Sequence, residues 1–249
     1  MTYNLTVSPD FKPDLISGWF IFNTWLQKQL SQSVHLELYQ SFAEQDKALQ
    51  DKKVDLIYAN PYDISRLVRD EGFVPVAKPK AKPDEAVVAT RADGSIDCLE
   101  DVPANLRIAQ TNAPDVNTIG MILLEPADLL MDDIDIKQYA NYTTVAKSLI
   151  NDDADVGFFL AEAFNEFSGL VKKKLKPIIS SNIYLIHHAL LVGPELLNYE
   201  ADLRGILCDM HLDDKGKKIL ADLEISQFEP MDTEEAEFMI DLMDTLVTK

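Results

Sequence analysis

The stretch VDLIYANPYD, residues 54–63, closes an apolar run on Asn60, Pro61 and Tyr62. An amide and a phenol at the end of a buried strand can hold a small polar molecule by donating hydrogen bonds. Pro61 suits the first turn of a helix, whose unpaired N–H groups would join that donor set. A second such place is Asn117-Thr118-Ile119-Gly120. A helix is expected to begin at about Asn117, with outward-facing backbone amides and the Thr118 hydroxyl beside them. Each place also has a purely architectural reading. Asn-Pro is a good turn and helix start, and Asp115, two residues before Asn117, can cap its own helix.

Other chemistry is harder to assemble. His187 and His188 are adjacent; on a strand they would point to opposite faces and could not chelate one ion. His35 and His211 have no Cys or His companions at ligand spacing. The acidic run Met131–Asp135 lacks the glycine and the spacing of a calcium loop. No phosphate-loop or dinucleotide glycine pattern is present. No general acid–base pair or nucleophile stands out. The expectation is a protein without catalysis, cofactor or metal. Cys98 and Cys208 read as two free thiols, and the basic island VKKKLK (171–176) as a solvated face.

The elements that must position these residues alternate. YNLTVS reads as a strand, and LISGWFIFNTWLQKQLSQ, with Trp19, Phe22, Leu26 and Leu30 at helical spacing, as a helix. VHLELY, FAEQDKALQDK, VDLIYA and PYDISRLVRDEG continue as strand, helix, strand, helix. This is the signature of a parallel sheet with helices on both faces. KPKAKP (78–83) breaks the composition, and EAVVATR would carry the chain into a second series that starts at LRIAQ (106–110). There follow a helix, the strand IDIKQY, the helix YTTVAKSLIND, the strand DVGFFL and the helix AEAFNEFS. IYLIHHALLVG looks extended and would carry the chain back, and the C-terminal third reads as helical. The reading is an α/β fold of two lobes, residues 1–88 plus 185–249 forming the first and 89–184 the second. A ligand is then expected in a cleft between the lobes, at the carboxyl ends of the strands.

At 249 residues, 47% of them hydrophobic, the chain has ample material for such a core. Its formal charge of −19 would repel a nucleic-acid backbone or an anionic membrane. An anionic ligand must be held by a local donor array, which succeeds because salt screens the global field over about 8 Å.

Four stretches together resemble a known family: LTVSPDF, VDLIYANPYDISRLVRDEGFVPVAKP, PDVNTIG and DDKGKKILADLEISQFEPMDTEEAEFMIDLM. Their order is similar to that in the phosphate/phosphite/phosphonate-binding proteins of ABC importers, which have the type 2 periplasmic-binding-protein fold. Ala59-Asn60-Pro61 resembles the family's turn after the third strand. Asp213, Gly216, Lys217 and Leu220 match a D-x-x-G-K-x-x-L helix leading to Phe-x-Pro. The resemblance places the family's Ser/Thr-rich anion cradle on Asn117 and Thr118, with its row of hydroxyls reduced to one. It places the family's histidine on Tyr142, a phenol that donates one hydrogen bond but carries no positive charge. It places a carboxylate used by amine-recognising members on Glu162, which is equally a first-turn glutamate favouring its helix dipole.

The resemblance implies a non-enzymatic solute-binding protein. Asp10, Asn60 and Tyr62 would serve from the first lobe, and Asn117, Thr118, Tyr142 and Glu162 from the second. Its expected ligand is a phosphonate- or phosphate-like oxyanion or a small amino compound, and its protein partner an ABC permease or another protein. No nucleic acid and no membrane insertion is expected. The alternative is an intracellular sensor or interaction module that keeps the fold with a diverged pocket. The first residues, MTYNLTVSPDF, lack a basic and apolar leader. Location in the cytoplasm is therefore expected if Met1 is the natural start, and in the periplasm if a leader has been removed.

Overall fold

The computed structural model describes residues 2–247. The chain forms two compact units: residues 2–82 with 187–243, and residues 83–186 with 244–247.

The first unit is built on a six-stranded sheet. Its strands are β1 (Thr2–Val7), β2 (Ser33–Leu36), β3 (Leu56–Ala59), β4 (Val74–Pro79), β10 (Ala189–Val192) and β11 (Phe228–Pro230), in the order β11-β4-β10-β3-β1-β2. β1 runs parallel to β2 and β3, while β10 is antiparallel to β3 and β4, and β11 is antiparallel to β4. Every residue of β3 and β10 is buried. Leu56, Tyr58, Leu190 and Val192 face one side, packing with Trp19, Phe22 and Leu26 of α1 (Ile16–Leu30) and with Leu203 and Leu207 of α8 (Glu200–Asp209). Ile57, Ala59, Ala189 and Leu191 face the other. There they meet Leu49 of α2 (Phe42–Gln50), Ile64 and Leu67 of α3 (Pro61–Arg69), and Ile240 of α10 (Thr233–Val247). The alternation follows from the two-residue period of a strand, and burial on both faces is why these strands read as unbroken apolar runs.

The second unit holds a five-stranded sheet, order β7-β6-β8-β5-β9. Its strands are β5 (Ala86–Arg91), β6 (Leu106–Gln110), β7 (Ile134–Gln138), β8 (Val156–Leu160) and β9 (Leu175–Ser180). β6 is parallel to β7 and β8, and β5 is antiparallel to β8 and β9. The helices are α4 (Pro114–Leu124), α5 (Tyr142–Ile150), α6 (Ala161–Glu166) and α7 (Gly169–Lys172). α4 lies so close to β8 that a Cβ on Gly120 would stand 2.6 Å from the Phe158 ring.

Three elements depart from the sequence reading. α4 begins at Pro114, not near Asn117, because proline's fixed φ seeds the first turn. The helical C-terminal third contains the short edge strand β11, whose Pro230 had masked it. In the extended-looking return segment only Ala189–Val192 is a strand, so His187 and His188 precede it.

The D-x-x-G motif has an architectural explanation. Asp213 is the N-cap of α9 (Asp214–Asp222) and accepts the Gly216 N–H at 3.0 Å. A Cβ on Gly216 would lie 2.0 Å from the Met210 carbonyl oxygen, a backbone atom that cannot swing aside. Gly216→Ala is therefore expected to destabilise the protein by about 1–3 kcal/mol. Urea unfolding should show a lower midpoint with an unchanged slope.

Candidate functional site

Strand direction sorts the candidate residues onto one edge of each sheet. In the first unit, β1 and β3 end where β10 begins, since Ala59 pairs with Ala189. Asp10, Asn60 and His188 meet at this edge. Asn60 is fully buried. Its Oδ1 accepts the Tyr62 N–H at 2.9 Å, which caps α3, and its backbone N–H donates to Ser8 Oγ at 2.8 Å. Its Nδ2 donates to Asp10 Oδ2. His188 Nε2 stands 3.2 Å from the same oxygen, and its ring stacks on Tyr58 at 5.2 Å between centroids. Burial alone would raise the Asp10 carboxyl. The neighbouring His188 charge and the hydrogen bonds from His188 and Asn60 outweigh it and hold the group below its ordinary value. Asp10 and Asn60 thus spend these groups on an internal strut tying β1, β3 and β10 together. Tyr62 differs: it is 53% exposed, at the second position of α3.

Asp63, in the first turn of α3, was not singled out by sequence. It is 8% exposed, and its Oδ2 has no hydrogen-bond partner among the described residues. Burial first, then the charges of Asp46 and Asp10, push its carboxyl up to about 6 against the opposing pull of Arg66 and His188.

In the second unit, the parallel strands β7, β6 and β8 all end at one edge, and α4, α5 and α6 begin there. Antiparallel β5 starts at this edge and β9 ends at it, because Ala86 pairs with Leu160 and Val87 with Ser180. Asn117, Thr118, Tyr142 and Glu162 all belong to these helix beginnings. Because α4 starts early, Asn117 and Thr118 sit past its first turn. The Asn117 N–H already bonds Ala113 O at 3.1 Å, and Asn117 Nδ2 donates to Thr111 O at 2.9 Å. Asn117 Oδ1 is buried with no partner among the described residues. The Thr118 hydroxyl donates to Pro114 O at 2.8 Å and keeps its lone pairs for accepting. Tyr142 is the first residue of α5, half-buried, with its ring 6.1 Å from Phe159. Glu162 lies in the first turn of α6 and is half-buried. The edge therefore carries helix-start dipoles and neutral polar groups beside a carboxylate.

The sequence profile described as "ABC transporter, phosphonate, periplasmic substrate-binding protein" matches residues 5–236. The chain belongs to that family. No curated protein sequence gives a significant match. Among solved structures, a binding protein component of an ABC phosphonate transporter from Pseudomonas aeruginosa is 18% identical, with a TM-score of 0.78 over 98% of this chain and 87% of that one. A Prochlorococcus marinus protein in complex with methylphosphonate is 13% identical, with a TM-score of 0.82 over 98% of each chain. The periplasmic aliphatic sulphonate binding protein of Escherichia coli is 14% identical, with a TM-score of 0.69 over 100% of this chain and 94% of that one. At these identities the structures share the fold of periplasmic binding proteins. Family membership favours the solute-binding reading over the interaction module. The family is a periplasmic substrate-binding one, and no helix among the described residues is long and apolar enough to cross a membrane.

His188 escaped the sequence reading because its adjacency to His187 suggested only a metal pair, while its partner Asp10 lies 178 positions away. Asp63 escaped because a first-turn acidic residue is ordinary for a helix.

Asp63 sets a pH dependence with a definite sign. Its folded carboxyl is raised from 3.8 to about 6, so the folded state holds a proton that the unfolded chain has released. Stability should fall as pH rises from about 4 to 6, by about 3 kcal/mol in all. Denaturant unfolding of Asp63→Asn at pH 4.5 and 7.5 should show this fall flattened, with the variant gaining over wild type at the higher pH.

Proposed function

We propose that this protein is a non-enzymatic, periplasmic solute-binding component of an ABC importer, and that its ligand is a small oxyanion of the phosphonate type. The observation that carries the reading is the joint start of α4 and α5 at the carboxyl edge of the parallel strands β7, β6 and β8. Helix N-termini present N–H groups and partial positive charge to an anion without needing a cation. That suits an edge whose building segment, residues 106–166, contains neither His nor Cys and whose candidates other than Glu162 are neutral polar groups. Such groups hold a ligand without supplying a nucleophile or a base, which supports binding rather than turnover. The methylphosphonate complex of the Prochlorococcus marinus relative supports the ligand class. Tyr142 is the proposed donor to the anion, Thr118 the acceptor of a hydrogen bond from a protonated ligand oxygen or amino group, and Glu162 the contact to an amino group where the ligand has one. The proposed protein partner is the importer's permease.

Calorimetric titration with methylphosphonate, inorganic phosphate and 2-aminoethylphosphonate tests this. At least one should bind, and Tyr142→Phe, which removes a single donor, should weaken it about 2- to 13-fold for a neutral partner and more for a charged one. Thr118→Val should have an effect of the same size. Absence of binding by all three compounds would overturn the reading. Unaltered affinity in both variants would move the anion contacts elsewhere on the edge.

A further inference from the structure

A sheet edge offers unpaired backbone groups to any other strand, and soluble proteins blunt their edges. Three of the four edges here are blunted. At β2, Val34 accepts the Asn23 Nδ2 on its carbonyl oxygen at 3.1 Å and donates its N–H to Gln27 Oε1 at 3.2 Å, so α1 closes that edge. β11 is three residues long and ends on Pro230. β9 carries Pro177, which has no N–H to give. β7, with the sequence IDIKQ, is the fourth. It has no proline, and Asp135, Ile136, Lys137 and Gln138 are all exposed, Ile136 by 41%.

The outward groups of β7 follow from its ladder. Tyr139 donates its N–H to Gln110 O of β6 at 2.8 Å. In a parallel ladder alternate residues turn both peptide groups to the same side. Asp135 and Lys137 therefore turn theirs to β6, and Ile134, Ile136 and Gln138 turn theirs outward. Among the described residues those outward groups have no hydrogen-bond partner. The side chains alternate too, with Asp135 and Lys137 on one face and Ile134, Ile136 and Gln138 on the other. Neither Asp135 nor Lys137 has an ion pair among the described residues, and Lys137 Nζ lies over the Tyr139 ring, 5.4 Å from its centroid.

This strand is complementary to itself. Laid antiparallel on a second copy, about a two-fold axis midway between the two Ile136 residues, it lets their outward N–H and C=O groups exchange two hydrogen bonds. Ile134 then faces Gln138 of the second copy, and Asp135 faces Lys137 of the second copy, twice by symmetry. These charge pairs fall at non-hydrogen-bonded positions, where side chains stand closest. Charge also fixes the register. A slip of two residues one way sets Asp135 against Asp135, and the other way Lys137 against Lys137. We infer that β7 is a self-pairing edge, through which two copies of this chain join their five-stranded sheets into one continuous sheet. A strand pair of this length buries less than the roughly 1,200 Å² of a stable interface, so the dimer is a weak one. The −19 charge of each copy opposes it, a repulsion that salt screens beyond about 8 Å.

Sedimentation equilibrium of the whole chain, from about 10 μM to about 1 mM, tests this. Wild type should show a monomer–dimer equilibrium. D135K and K137D each set like charges opposite one another across the two-fold axis. Either should weaken the dimer about 4- to 800-fold, since two opposite-charge pairs become two like-charge pairs. The double exchange D135K/K137D restores opposite charges at the same formal total of −19 and should dimerise as wild type does. An equimolar mixture of the two single variants should do so as well, as a heterodimer, which requires both to be folded. Wild type that stays monomeric across the whole range would overturn the inference. So would single variants that dimerise as strongly as wild type, or failure of either the double exchange or the mixture to regain the dimer.

Discussion

Burial of the central strands on both faces is the constraint from which the rest follows. β3 and β10 have no exposed residue, and β8 is buried along nearly its whole length. A strand covered on both sides has nowhere to display chemistry except at its ends. Polar groups are accordingly concentrated where strands stop: Ser8, Asp10, Asn60 and His188 in one unit, Gln110, Thr111, Asp84, Glu85 and Ser181 in the other. Each must find partners there, because a buried polar atom without one costs stability. Most of them do so by bonding backbone of a neighbouring strand or helix start, which is also how the edges are kept in register.

The two edges resolve this demand differently. In the first unit, Asp10 is met by both Asn60 and His188, so a carboxylate becomes a cross-strand tie. Asp63, a turn away, is left with an oxygen that has no hydrogen-bond partner among the described residues. In the second unit the ends of β6 and β8 run straight into helices, and the polarity resides in peptide dipoles as much as in side chains. A surface of that kind suits an anion in spite of the −19 formal charge, since dipoles act at short range while the global field is screened. Recognition by such an edge depends on backbone placement, and backbone placement is what the tight Gly120–Phe158 contact secures for α4.

Much of the fold was legible because its periods are local. The runs around Leu56 and Val156, and the helical spacing of Trp19, Phe22, Leu26 and Leu30, report strand and helix from a handful of neighbouring residues. What escaped depends on distance or on a single backbone angle. The partnership of Asp10 with His188 is made only by the completed sheet, and no local pattern announces it. The left-handed turn at Tyr184 is imposed by Glu85, 99 positions earlier, against the residue's own preference. The start of α4 was misjudged by a few residues because the apolar period begins later than the proline that seeds the helix. That small shift changes which amides of the helix are already bonded, so the candidate residues were legible as a neighbourhood of helix starts and not as a set of contacts.

The place of β10 has a consequence for how the chain is made. β10 lies between β3 and β4, although it is encoded after the whole of the second unit's sheet. Until roughly a hundred further residues have been added beyond Lys82, the first sheet lacks the strand that joins its two halves. At a synthesis rate of about 5–20 residues per second, that interval lasts several seconds or longer. During it β3 and β4 have open edges, and the apolar faces prepared for α8 and α10 stand uncovered. Topology of such high contact order folds slowly. A nascent chain that cannot close its first sheet early leaves those edges and faces open to chaperones for the whole of that interval.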